Sequence, residues 1–150
     1  MPRSPAIPPE QALRLEHQVC FALYSASLAM TKLYKPWLDD LGLTYPQYIA
    51  MLALWEQDGL SVKELGERLF LDSGTLTPLL KRLEAAGFVT RLRATDDERR
   101  VLVRLTAAGR RLRSRAESIP SCIVEAAQCS LPDLVQLTRQ IQSLRDRLAA

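Results

Sequence analysis

Three cysteines and one histidine are the side chains of this 150-residue chain whose types suit nucleophilic or metal chemistry. The thiols are Cys20, Cys122 and Cys129. Three thiols cannot pair fully within one chain. The N-terminus carries one Arg and several prolines but no apolar stretch before a cleavage site, so no secretory signal is read there. A reducing cytosol and free thiols are therefore expected. Taken alone, Cys20 reads as a small buried apolar residue. His17 lies one helical turn before Cys20. Without a His, Cys or Glu cluster at ligand spacing it reads as a surface or interface residue rather than a metal ligand. No phosphate-cradling glycine loop, zinc spacing or serine-triad pattern occurs, and no cofactor or metal is expected.

The second chemical signal is charge. The net charge is only +3. Residues 61–115 nevertheless hold thirteen basic and seven acidic side chains, while residues 1–60 and 116–150 are each slightly acidic. A basic block inside a folded chain is a candidate polyanion-binding surface.

Those residues need elements to position them. Apolar residues make up 47% and charged residues 25%, globular proportions that exclude wholesale disorder. No apolar run is long enough to span a membrane. Aromatics at 6% and only six glycines favour a mostly helical fold. Residues 1–10, with four prolines, are expected to be a disordered lead. A long helix is expected from Gln11 to about Asp40, with apolar residues covering more than one stripe, as in helices that bury a second face against a partner. Thr44 with Gln47 and Ser61 with Glu64 are capping-box patterns opening helices over about 45–57 and 62–70. Asp72 or Ser73 caps a helix to Ala86, closed by Gly87. The period then changes from 3.6 to 2, giving strands at 88–93 and 100–105 around a charged tip. Thr106 caps a fifth helix, bent near Pro120, and Ser130 caps a sixth that runs to about Leu148.

Two helices joined by a tight turn and followed by a hairpin spell a winged helix-turn-helix. The fold expected is mainly α, with six helices and a small β-hairpin wing. The helix from Ser73 is the candidate reader of the major groove. Ser73, Thr75, Thr77 and Pro78 permit close approach to a phosphate backbone, and Lys81 and Arg82 can neutralise phosphates or reach bases. At the wing tip, Arg99 and Arg100 suit a narrow, electronegative minor groove, and Asp97 is placed to brace Arg99 through a bidentate fork.

The wing sequence Asp97-Glu98-Arg99, with a strand ending Leu105-Thr106, resembles that of the MarR family of winged-helix regulators. Segments 20–26, 32–34, 43–48 and 76–83 resemble its organic-hydroperoxide-sensing branch. The resemblance runs from Leu15 to Leu148. It implies an interlocked homodimer whose terminal helices (about 11–40 and 107–148) pair, with winged lobes (about 44–106) on a pseudo-palindromic duplex operator. Residues 11–150 would then form one domain.

The resemblance also implies that Cys20 is the peroxidatic thiol and that Tyr34 and Tyr45 hydrogen-bond it. The branch's usual resolving cysteine falls near Glu125, which Cys122 and Cys129 flank by about one turn each. Cys122 is the expected resolver, Cys129 the alternative, and a small cellular thiol a third route. Cys20 and Tyr34 are 14 residues apart, roughly 21 Å along one straight helix, so contact would require a second subunit crossing antiparallel. The function expected is a repressor that leaves its operator when an organic hydroperoxide oxidises Cys20. Two other readings are a regulator answering a phenolic ligand and a thiol peroxidase. The peroxidase reading leaves the basic middle third and the wing without a purpose, and an enzyme is not expected.

Overall fold

A computed structural model describes residues 6–150. Residues 1–5 of the expected lead lie outside the described residues. Pro9–Ala12 form a short helix, α1, and Leu15–His17 a single 3-10 turn. The long helix, α2, spans Val19–Leu41. It begins eight residues later than its periodicity suggested. Gln18 explains the offset: its side-chain amide donates to the carbonyls of Ala12 at 2.8 Å and Arg14 at 2.9 Å, folding the preceding chain back as separate turns. Pro36 lies inside α2 without ending it.

Next come α3 (Tyr45–Glu56), α4 (Val62–Leu69) and α5 (Ser73–Ala85). Both capping boxes are formed, Thr44 with Gln47 and Ser61 with Glu64. Asp72, rather than Ser73, caps α5, its carboxylate accepting from the Thr75 N–H at 2.7 Å. Gly87 follows at φ 84°, a left-handed turn that glycine adopts without strain.

Strands β1 (Val89–Arg93) and β2 (Val101–Leu105) pair antiparallel, from Val89 opposite Leu105 to Arg93 opposite Val101. The predicted fifth helix divides into α6 (Ala107–Ala116) and α7 (Ile119–Ala127). Proline has no N–H to donate, so Pro120 sits in the first turn of a new helix instead of bending a continuous one. The last helix, α8, spans Leu131–Ala149.

One core serves the winged unit. Met51, Leu54, Leu65, Leu76, Leu80, Leu83, Val89 and Val103 are fully buried within it. On α5 the buried positions are Leu76, Leu79, Leu80 and Leu83, a helical stripe that leaves Ser73, Thr75, Pro78, Lys81 and Arg82 outside. Trp55 pins α6 across the core, its indole N–H donating to the Gly109 carbonyl at 2.9 Å.

The terminal helices contrast with this. No residue of α8 is buried, and Leu131, Val135, Leu137 and Ile141 are exposed on it. Val19, Phe21, Tyr24, Leu28 and Met30 are exposed on the N-terminal half of α2. That much uncovered apolar surface marks a contact face. No helix among the described residues is long and apolar enough to cross a membrane.

Candidate functional site

The Thr44 capping box fixes the start of α3: the Gln47 N–H donates to Thr44 Oγ1 at 3.3 Å, and the Thr44 N–H donates to Gln47 Oε1 at 2.9 Å. Tyr45 is thereby held as the first residue of α3, against the C-terminal half of α2. Its ring stands edge-on to Tyr34, with centroids 5.1 Å apart at 61°. Tyr48, one turn along α3, completes a triad at 5.8 Å from Tyr34 and 6.2 Å from Tyr45.

Burial pushes the Tyr34 hydroxyl up to about 12, and the neighbouring Tyr45 and Tyr48 push it further in the same direction. Burial also raises Tyr45, and raises Tyr48, where Tyr45 adds to it. All three are neutral phenols near neutrality, able to donate hydrogen bonds. The sequence signals Tyr48 only through its one-turn spacing from Tyr45.

Cys20 is exposed in the first turn of α2. The triad meets the same helix about four turns later, so one chain does not bring thiol and phenols together. Cys122 is partly buried on α7, which packs against α2. Cys129 is exposed in the link before α8, its thiol 3.3 Å from the Ala127 carbonyl. His17 is held locally, Nδ1 lying 2.9 Å from the Gln11 carbonyl. No group of three or more metal-ligating side chains occurs among the described residues.

The basic block forms a second surface. Ser73, Thr75, Pro78, Lys81 and Arg82 are exposed on α5, and Thr77 is half-buried beside the groove toward the wing. Lys81 and Arg82 make no ion pair among the described residues. At the wing tip the Arg99 side chain is 95% exposed. Asp97 does brace it, but not as the expected fork. One carboxylate oxygen, Oδ1, accepts from the Arg99 backbone N–H at 3.0 Å and lies 3.5 Å from Nε. The two residues are only two positions apart in a tight turn, so Asp97 reaches the backbone before the guanidinium end.

Arg100 does not project with Arg99. Its guanidinium meets Glu64 at 2.7 Å. Glu84 of α5 accepts from the Arg91 backbone N–H at 3.1 Å and from its guanidinium at 3.2 Å. Glu64 was legible in the sequence only as a capping residue, because its partner is 36 positions away.

A winged helix-turn-helix with a basic reading face, uncovered terminal helices and a neutral phenol triad defines a winged-helix transcriptional regulator. A family model described as transcriptional regulator SarA/Rot matches residues 32–115. The chain is 51% identical over 136 residues to the organic hydroperoxide resistance transcriptional regulator of Bacillus subtilis (strain 168), a match covering 91% of this chain and 92% of that protein. Among solved structures it is similar to reduced AbfR bound to DNA, at TM-score 0.77 and 32% identity over 94% of this chain and 99% of that one. It is also similar to disulfide-formed AbfR, at TM-score 0.64 and 34% identity over 90% and 95% of the two chains. AbfR comes from Staphylococcus epidermidis. The chain belongs to the MarR/SarA family of winged-helix regulators, in its organic-hydroperoxide branch.

Proposed function

We propose that this chain is a homodimeric, redox-sensing repressor that holds a pseudo-palindromic operator when reduced and releases it when an organic hydroperoxide oxidises Cys20. The observation that carries this reading is that Cys20 lies about four turns from Tyr34 on α2, out of reach of the phenols that Tyr34 forms with Tyr45 and Tyr48 of α3. Only a second copy, crossing antiparallel through the exposed faces of α2 and α8, brings the two together. Sensing is thus tied to dimerisation, and the dimer carries two winged lobes at once. Residues from about 11 onward act as one domain, with α2 and α6–α8 pairing the subunits and residues 44–106 reading DNA. The cytoplasm is the compartment that fits.

In the reaction, the Cys20 thiolate attacks one oxygen of the peroxide and the O–O bond breaks. The other oxygen leaves as an alkoxide and takes a proton to become an alcohol. Cys20 is left as a sulfenic acid. Tyr34 and Tyr45 of the opposite subunit donate hydrogen bonds at the reacting sulfur, with Tyr48 packed behind them. A second thiol then attacks the sulfenic sulfur, water departs and a disulfide forms. Cys122 is the proposed resolver, since its helix packs against α2, and Cys129 is the alternative.

A disulfide requires its Cα atoms within about 4.4–6.8 Å; where the reduced thiols of two subunits lie farther apart, closing one moves α7 or α2 and the winged lobe joined to them. AbfR, solved both reduced on DNA and with a disulfide formed, supports a disulfide step. The chain matches the reduced, DNA-bound form at TM-score 0.77 and the disulfide form at 0.64, with nearly equal identity. On the DNA side, Ser73, Thr75, Thr77, Pro78, Lys81 and Arg82 face the major groove, and Arg99, steadied by Asp97, enters the minor groove.

The test is a gel shift with Cys20→Ser. The variant should bind DNA as tightly as the reduced parent and stay bound after peroxide treatment. Release of Cys20→Ser by peroxide would refute the reading.

A further inference from the structure

Beyond the last ladder pair, Arg93 opposite Val101, the wing tip is held mostly by itself. The Ala94 N–H donates to the Arg100 carbonyl at 2.8 Å, and the Arg100 N–H to the Asp97 carbonyl at 3.0 Å. The Arg93 guanidinium donates to the Glu98 carbonyl at 2.9 Å. Among the described residues, the tip's one side-chain hydrogen bond or ion pair to an element outside the wing is Arg100 to Glu64 on α4.

Glu64 divides its carboxylate between two tasks. Oε2 accepts from the Ser61 N–H at 3.2 Å and caps α4, while Oε1 accepts from Arg100 Nη2 at 2.7 Å. The base of the wing rests on the same spot. Ser61 forms a bridge to Leu102, and the Val103 N–H donates to the Leu60 carbonyl at 2.8 Å. Glu64 therefore extends the docking of the wing from its base to its tip.

We propose that Glu64 is a positioning residue for the wing: by holding Arg100 against α4 it sets the direction in which Arg99 projects, so that Arg100 braces the tip rather than touching phosphate. The proposal rests on the DNA-binding reading above. A two-stranded ribbon is marginally ordered by itself. Fixing its tip in advance removes ordering that would otherwise be lost on docking. The two side chains are 44% and 42% exposed, so in water the pair is weak. A polyanion covering it would exclude water and strengthen it.

The proposal makes a prediction opposite in sign to simple electrostatics. Glu64 is an acid on the face that meets DNA, and removing its charge should by itself tighten binding. Positioning requires that removing it weakens binding. The probe is the duplex that the reduced parent dimer selects from a random-sequence pool. Glu64→Gln keeps a residue suited to the capping box. It should bind about three- to tenfold more weakly, as should Arg100→Gln, and the double variant no more weakly than either single one. Arg100→Lys, which keeps the charge, should recover part of the loss.

The dependence of log affinity on log salt should be unchanged in Arg100→Gln. In Lys81→Ala, a phosphate contact, its slope should shrink by about 1. Equal or tighter binding by Glu64→Gln, additive losses, or a reduced slope in Arg100→Gln would each overturn the proposal. Should Glu64→Gln fold poorly, Arg100→Gln, at the exposed tip, decides it through the salt slope alone. Selection of no duplex by the reduced parent would overturn the DNA-binding reading and this proposal with it, whereas weakening by Arg99→Ala and Lys81→Ala alone would leave that reading standing and end only the role of Glu64.

Discussion

Tyr34 shows how packing sets the chemistry of a single side chain. Its hydroxyl titrates near 12 because burial disfavours the phenolate and two further phenols stand against it. A group whose folded value is raised stabilises the fold fully below its unfolded value near 10, and that stability is lost as pH rises through about 12. Thermal unfolding should therefore show an alkaline loss of stability between about pH 10 and 12 that is smaller in Tyr34→Phe. Phenolate absorbance, followed over the same range, locates the ionisation. Tyr34→Phe and Tyr45→Phe remove a donor each and little volume. Both should bind DNA normally when reduced and oxidise Cys20 more slowly, as a stopped-flow thiol assay would read. The Arg99 side chain, 95% exposed, meets only the Asp97 carboxylate of its own turn among the described residues. Arg99→Ala should weaken operator binding by about 1–3 kcal/mol and leave the melting temperature unchanged.

The elements meet through close backbone contacts as much as through side chains. A Cβ on Gly109, in α6, would stand 2.1 Å from the Phe88 carbonyl oxygen. Phe88 precedes β1, and its carbonyl also accepts from the Thr106 N–H at 3.0 Å. Neither partner is a flexible side-chain end that can swing away. Gly109→Ala must push the wing from α6 and should cost about 1–3 kcal/mol in denaturant unfolding. Asp72 shows the same dependence at α5. Its carboxyl is held below the usual carboxylate range, first by the Thr75 backbone N–H and then by the Thr75 hydroxyl. The stability it contributes is present above its unfolded value and lost as pH falls through the lower folded one. Asp72→Ala should lower the melting temperature at neutral pH by removing the α5 cap, a difference that shrinks in acid.

At the scale of the molecule, apolar surface is distributed unevenly. The winged unit is closed around its core, whereas α8 and the first half of α2 leave Phe21, Leu28, Val135, Leu137 and Ile141 exposed. Ile141→Asp should split the dimer in analytical ultracentrifugation and abolish high-affinity DNA binding, since two half-sites must be held together. Peroxide should convert the parent to a covalent dimer on non-reducing gels, and dithiothreitol should restore both the monomer band and DNA binding. Cys122→Ser should lose that dimer while keeping Cys20 oxidisable, and Cys129→Ser should retain it. Loss of the crosslink in Cys129→Ser instead would reassign the resolver. Persistence in both would make the bond Cys20 to Cys20.

The amino-acid sequence by itself determined the local elements of this protein. Caps at Thr44, Ser61, Thr106 and Ser130, the stop at Gly87 and the change of period at Val89 act over three or four residues, so neighbouring side chains decide them whatever the rest of the chain does. The basic face of α5 was legible for the same reason. The division at Pro120 and the late start of α2 depended on how backbone donors found partners, which periodicity does not record. Pairings across the fold were decided only by tertiary structure. Glu64 meets Arg100 across 36 positions, and Glu84 meets Arg91 only because the turn at Gly87 folds β1 back along α5. The triad of Tyr34, Tyr45 and Tyr48 needs α2 packed on α3, and burial there raises the ionisation of phenols that are already neutral by type. Spacing along α2 keeps Cys20 away from Tyr34 within one chain, and the same helix leaves an apolar face exposed.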